Sequence, residues 1–289
     1  MKVNPIIVGA DGTDCSKAAV RWAAREAQRR DLPLRVTHVY DWEWREARYD
    51  SSNYYLDEAR RDAEGVAATG VHEALVVAPK LEVEGDPVIG HPAARLLAES
   101  EHGVLTVVGS RGRGGFASLL LGSVSQRVAT HAPGPVVVVR GRGDVTEGPV
   151  VAGVDDSPIA DEVLATAFEA AAGRGCPLEV VRSYLPVVPL WMDKKVDADA
   201  PAPEADQEEW AKLRAQLAPW REKYPDVPVE TVLTHHGIAG ELVAASHRAQ
   251  LIVVGSRGHG VIAGTMLGST GLQLLHHADC PVYLVRAKH

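Results

Sequence analysis

The chain has 289 residues, 46% of them hydrophobic and 24% charged, with a formal net charge of −8. That length suits two domains of ordinary size, the apolar content argues against global disorder, and an acidic chain is a poor default partner for duplex DNA, whose binding rests on neutralising phosphates. The three cysteines, Cys15, Cys176 and Cys280, stand far apart and form no CxxC pair, a usage that fits a reducing cytoplasm rather than a disulfide framework or a zinc site.

In chain order, PIIVGA (5–10) is a short apolar strand that turns polar at Asp11, which does not fit a secretory signal. Ser16 to Arg30 has helical spacing. Ala19, Val20, Ala23 and Ala27 share a face, and Arg25, Arg29 and Arg30 load the C-terminal end, where the helix dipole favours cations. LRVTHVY (34–40) is the second strand. From 54 to about 77 the pattern is helical but interrupted by Gly65 and Gly70, and LEVEG (81–85) is a short third strand. His91-Pro92 opens a helix with proline at its first position, running to about Ser100. VLTVVG (104–109) is the fourth strand, Gly122 to His131 a helix, and PVVVVR (135–140) the fifth strand. The last two strands are apolar throughout, as strands covered on both faces are. No apolar run approaches the length of a membrane span.

The pattern then recurs. Gly109 and Gly122 return as Gly255 and Gly268, 146 residues on, and Asp11 returns as Asp155, 144 residues on. LTVVGSRGRG answers LIVVGSRGHG, and APGPVVVVR answers ADCPVYLVR. The period is domain-sized, so the chain is a tandem repeat rather than a solenoid. GRGDVTEG (141–148) reads as a linker, giving domains 1–145 and 146–289. Strands separated by helices predict an α/β fold: two tandem doubly wound parallel five-stranded sheets, each ordered 3-2-1-4-5 and Rossmann-like.

Each half spells one glycine-rich loop between its fourth strand and the following helix, with the spacing G-x2-G-x9-G-S/T. Free amides at a helix start, together with the helix dipole, suit an anion, and glycines let the backbone approach a phosphate. Ser123 and Ser125 add hydroxyl donors. A Walker loop needs a lysine that neither copy has, and a dinucleotide fingerprint would follow the first strand. In the order 3-2-1-4-5, strands one and four are neighbours where the order reverses. Asp11 and the loop from Gly109 to Ser123 then flank one crevice, with a carboxylate for ribose or an adenine edge and bare amides for phosphates. The combination describes a nucleotide.

These residues resemble the universal stress proteins in their tandem-domain, ATP-binding form. The loop spacing matches that family's signature, and VGADGT and AGVDDS resemble its first-strand motif. The resemblance covers nearly the whole chain. It implies ATP or another adenine nucleotide in each domain, with or without Mg²⁺. Asp11 and Asp155 would meet the ribose or adenine side, and the backbone of Val39 would frame adenine. Gly109, Gly112, Gly122, Ser123 and Val124 would hold phosphates, as would Gly255, Gly258, Gly268, Ser269 and Thr270. It also implies pairing of domains through their fifth strands, PVVVVR and PVYLVR. Protein partners are expected, and either a homodimer or internal pairing of the two domains satisfies those strands. This chain departs from the family in having Thr13 where serine is usual and Asp156 where glycine is usual. The extra carboxylate either weakens phosphate binding or seats a cation. Thr270-Gly271 stands in place of Val124-Ser125.

Plainer readings stand beside these. The loops can be bare connections, and the aspartates turn or capping residues. Arg111, Arg113, Arg257 and His259 are either phosphate clamps or solvated charges. His235-His236 and His276-His277 lack a ligand set at metal spacing and read as surface histidines. Cys15, at a helix start, is either a reactive thiol or a small packing residue. Trp42, Trp44, Tyr49, Tyr54 and Tyr55 form a lid or pack locally, and 186 to 206 reads as a mobile loop. Three functions follow: an ATP-binding regulatory protein of the stress response, a slow ATP hydrolase, or an interaction protein that needs no nucleotide. Without a loop lysine, a triad or paired catalytic carboxylates, the first is favoured.

Overall fold

The computed structural model describes residues 3–41, 53–112, 121–184, 203–256 and 267–287, with the backbone alone described for 53–59 and 203. Contacts divide the chain into two compact units. One is Met1–Val145 with Cys280–Leu284, the other Thr146–Asp279 with Val285–His289.

In the first unit, β1 (Ile6–Gly9) leads to α1 (Asp14–Arg30), β2 (Leu34–Tyr40), α2 (Asn53–Val77) and β3 (Val83–Ile89). There follow α3 (Pro92–Ser100), β4 (Leu105–Gly109), α4 (Ser123–His131) and β5 (Val136–Val139). The sheet runs β3-β2-β1-β4-β5 with every pair parallel, the predicted order. Ile6, Ile7, Val8, Val107 and Val136 to Val138 are fully buried, as the apolar runs required of strands sandwiched between helices.

Three elements differ in extent from the sequence expectation. α1 begins at Asp14 rather than Ser16, because Thr13 caps it and accepts from the Ser16 amide at 3.3 Å. α2 is continuous through both glycines. At Gly70 a side chain would lie 2.6 Å from Val36 Cγ1, so that glycine lets the helix sit close on β2 instead of breaking it. β3 extends to Ile89 through Pro87, fully in register with β2 from Leu34↔Val83 to Tyr40↔Ile89. It is an edge strand, where a proline's missing N–H is tolerated.

The second unit repeats the plan: β6 (Val150–Val154), α5 (Ala160–Arg174), β7 (Leu178–Ser183), α6 (Pro203–Lys223), β8 (Val229–Thr234), α7 (Ile238–Ser246), β9 (Leu251–Gly255), α8 (Ser269–His277) and β10 (Val282–Val285). Its strands run β8-β7-β6-β9, also parallel, and β10 completes the order. Residues 282 to 284 of β10 cluster with the first unit, where they lie antiparallel to β5 in the register Val282↔Val138 to Leu284↔Val136. Phe168, fully buried, stacks on Trp220 and Tyr224 with centroids 6.2 and 5.7 Å away, fastening α5 to α6.

The proposed loop at 186–206 is corrected at its end. Pro203 to Asp206 open α6, with proline and the acidic Glu204 and Asp206 suited to a helix N-terminus. The remainder, 186–202, lies outside the described residues, as do Trp42, Trp44 and Tyr49 and the side chains of Tyr54 and Tyr55.

Candidate functional site

β1 is bordered by β2 on one side and β4 on the other, with Ile6↔Leu105 and Val8↔Val107 in register. The carboxyl ends of β1 and β4 therefore lie side by side at the point where the strand order reverses, the place where open α/β sheets bind ligands.

Asp11 stands just beyond β1. Its Oδ1 accepts from the Thr13 amide at 3.0 Å and from the Thr13 hydroxyl at 2.6 Å. The aspartate is thus a turn residue, as the plainer reading held, and its other oxygen faces the loop. A Cβ added to Gly112 would lie 2.6 Å from Asp11 Oδ2. Only a residue without a side chain fits there, and its absence brings the first-strand carboxylate against the backbone that follows β4. Gly109 is small for a different reason. A Cβ there would sit 2.8 Å from the Cys15 carbonyl oxygen, so this glycine makes room for the first turn of α1.

The loop closes on itself. The Ser110 amide donates to the Val139 carbonyl at 2.9 Å, and the Gly122 amide to the Ser110 carbonyl at 2.8 Å. Gly122 is the N-cap of α4 and supplies no capping side chain. A helix start leaves its first amides, here those of Ser123 and Val124, without an acceptor inside the helix. Ser125 is buried, and its hydroxyl donates to the Gly109 carbonyl at 2.5 Å, so it braces the end of β4. Arg111 is exposed beside Gly112, Val39 is buried near the end of β2, and Cys15 is half-buried.

The second unit reproduces much of this. The Ser256 amide donates to Val285 and the Gly268 amide to Ser256, each at 2.8 Å. Gly268 caps α8 with no side-chain bond, leaving the starts at Ser269 and Thr270 like those of α4. Asp155 accepts from the Ser157 amide at 2.9 Å and from its hydroxyl, the same pair of bonds that Asp11 receives from Thr13. Gly255 ends β9. Gly258, Arg257 and His259 lie outside the described residues, as does Arg113.

Two features of this second edge were not anticipated. The Asp156 carboxylate lies 2.7 Å from Arg182 Nη2, and that nitrogen lies 2.6 Å from Glu209 Oε2 on α6. Burial alone would lower the pKa of Arg182, but its hydrogen bonds to both carboxylates raise it instead. The expected choice for Asp156, between repelling phosphate and seating a cation, thus gains a protein partner. The second feature corrects the reading of His235 as a surface residue. It is half-buried, with Nε2 2.8 Å from Asp206 Oδ1 and its ring edge-on to Tyr184 at 5.0 Å. The Tyr184 hydroxyl also donates to Asp206. Burial and the Asp206 carboxylate push the Tyr184 phenol up to about 12, and the Tyr184 hydroxyl and His235 hold Asp206 below the usual carboxylate range. The sequence signal was available: Gly12 and His38 of the first half become Asp156 and Arg182 of the second, both 144 residues on.

Among the described residues no group of three or more His, Cys, Asp and Glu side chains is gathered to hold a metal. No described helix is long and apolar enough to cross a membrane.

A paired α/β fold with an aspartate and a glycine loop at each switch point narrows the class, and comparison with known proteins fixes it. The model of the Universal stress protein family matches residues 2–140 and again 148–286, and the chain belongs to that family. A universal stress protein of Mycobacterium tuberculosis is 34% identical over 296 residues, spanning 99% of this chain and 98% of its own. The crystal structure of a universal stress protein from Archaeoglobus fulgidus has the same fold at a TM-score of 0.74 and 21% identity, over 99% of each chain. A half-length match, covering 49% of this chain at a TM-score of 0.37 and 24% identity, is a universal stress protein from the same organism in complex with dAMP.

Proposed function

We propose that this universal stress protein is an adenine-nucleotide-binding regulatory protein with ATP as its ligand. Each of two domains, 1–145 and 146–289, carries one crevice, and occupancy rather than turnover is the output. The observation that carries this reading is the first unit's edge. Asp11 Oδ2 lies against the bare backbone of Gly112, next to a helix start that Gly122 leaves without a capping side chain. A carboxylate suits ribose hydroxyls, and uncapped amides with the helix dipole suit phosphate. In this reading Asp11 and the Val39 backbone frame the nucleoside. Gly109 and Gly112 shape the loop, with Arg111 at its rim, and the amides of Ser123 and Val124 receive the phosphates. Asp155, Gly255, Gly258, Gly268, Ser269 and Thr270 take the matching roles in the second domain.

Binding without rapid turnover follows from the residues at hand. Neither loop contains a lysine, and the hydroxyls of Thr13 and Ser125 are engaged within the fold. Mg²⁺ would arrive on the nucleotide's own phosphates, which commonly supply much of its coordination. The direct test is Gly122→Glu, which sets a side chain and a negative charge where phosphate would sit. Calorimetry with ATP should show the first crevice's binding lost while the variant keeps its circular dichroism. Unchanged stoichiometry and affinity would refute the site. Steady-state hydrolysis should stay below about 1 per second, the low end of typical enzymes.

A further inference from the structure

The two crevices differ in one linked exchange. In the first unit Gly12 takes φ 82°, in the left-handed region, and no side chain extends from the turn. His38 is buried, with Nδ1 2.7 Å from the Ala10 carbonyl oxygen. In the second unit the matching positions hold Asp156 and Arg182, and Asp156 has no positive φ. The turn has therefore taken another backbone path and gained a carboxylate.

The exposure of the partners decides what a ligand meets. The Arg182 side chain is 3% exposed and that of Asp156 is 53% exposed. Arg182 is also claimed from behind by Glu209, at 2.8 Å from Nε and 2.6 Å from Nη2. One buried guanidinium is shared by two carboxylates, so the network keeps a surplus negative charge, presented by its solvent-facing member beside Asp155. Lys212 does not cancel it, since it divides itself between Glu209 and Glu208 at 2.8 and 3.0 Å. Arg182 Nη1 is buried with no acceptor among the described residues.

We propose that the crevices are graded by ligand charge: the first takes the triphosphate, and the second, through Asp156 on Arg182, selects adenine ligands of low charge, the nucleoside or the monophosphate. The inference rests on the nucleotide reading above and deepens it. Like charges close to a binding cleft weaken binding in proportion to the ligand's charge, so the handicap is greatest for ATP and smallest for adenosine.

The test uses full-length chains with one crevice disabled. Gly268→Glu leaves the first, and Gly122→Glu leaves the second. Each is titrated with ATP, AMP and adenosine by calorimetry. The first crevice should prefer ATP to AMP. The second should reverse that order by about tenfold or more, a difference of about 1.4 kcal/mol, and the gap should narrow in high salt. Adding Asp156→Asn to the Gly122→Glu chain keeps an acceptor for Arg182 and removes the charge. ATP affinity should then rise about tenfold while adenosine affinity holds. The same ATP-to-AMP ratio in both crevices, or a ratio that Asp156→Asn does not move, would overturn the grading and leave the nucleotide reading intact. Failure of all three ligands to bind either single-crevice chain would overturn both.

Discussion

At the scale of single residues, the crevice is built by side chains that are missing as much as by those present. Gly109 gives way to the Cys15 carbonyl and Gly112 to the Asp11 carboxylate. Backbone cannot swing aside as a flexible side chain can, so Gly109→Ala should lower unfolding free energy by about 1–3 kcal/mol, measured in urea, as overpacking does. Asp11 has two duties that substitution can separate. Asn keeps an acceptor for the Thr13 amide and hydroxyl, whereas Ala removes it. Both variants should bind ATP more weakly, but only Asp11→Ala should also lose stability, by about 1 kcal/mol. Equal stability losses in the two would contradict the division. Asp11 and the glycines were legible in the sequence because the chain spells them twice at fixed spacing. The buried bond from the Ser125 hydroxyl to the Gly109 carbonyl was not, since a serine at a helix start reads equally well as a ligand donor or a brace. The partner of Asp156 was also hidden. Arg182 lies 26 residues away in the chain, and only the parallel pairing of β6 with β7 brings the two together.

At the scale of elements, strands were legible where burial on both faces forces a continuous apolar run, as in β4 and β5. The sequence understates β3 because Gly85, Asp86 and Pro87 look like breakers, and an edge strand tolerates them. The glycines make α2 look interrupted, because sequence alone does not show that Gly70 is where the helix comes close to Val36. The second unit's α6 gives a prediction of its own. Asp206 ties the start of α6 to Tyr184 at the end of β7 and to His235 beyond β8. Its folded pKa is depressed, so its contribution is fully present above the unfolded value of about 4 and is lost as pH falls through the lower folded value. Asp206→Asn should therefore be less stable than the parent chain at pH 6, with the gap closing below about pH 4 in parallel urea titrations. A gap that persists unchanged to pH 2.5 would show that the charge of Asp206 contributes nothing.

At the scale of the whole molecule, one α/β plan serves twice, and the family model matches it twice. Duplication supplies two switch points with the same hydrogen-bonded loop closure, Ser110 with Gly122 and Ser256 with Gly268. Divergence then falls on the turn after the first strand of each unit, where Gly12 has become Asp156. The scaffold is thus held constant while the charge beside the switch point changes. The account stands on the first crevice receiving an adenine nucleotide, and a crystal structure of the full chain grown in excess ATP tests that most directly. It should show a nucleotide with its ribose at Asp11 and its phosphates at the amides of Ser123 and Val124. An empty crevice there at saturating ATP, with Asp11 and the Gly109–Ser123 loop ordered, would contradict the account.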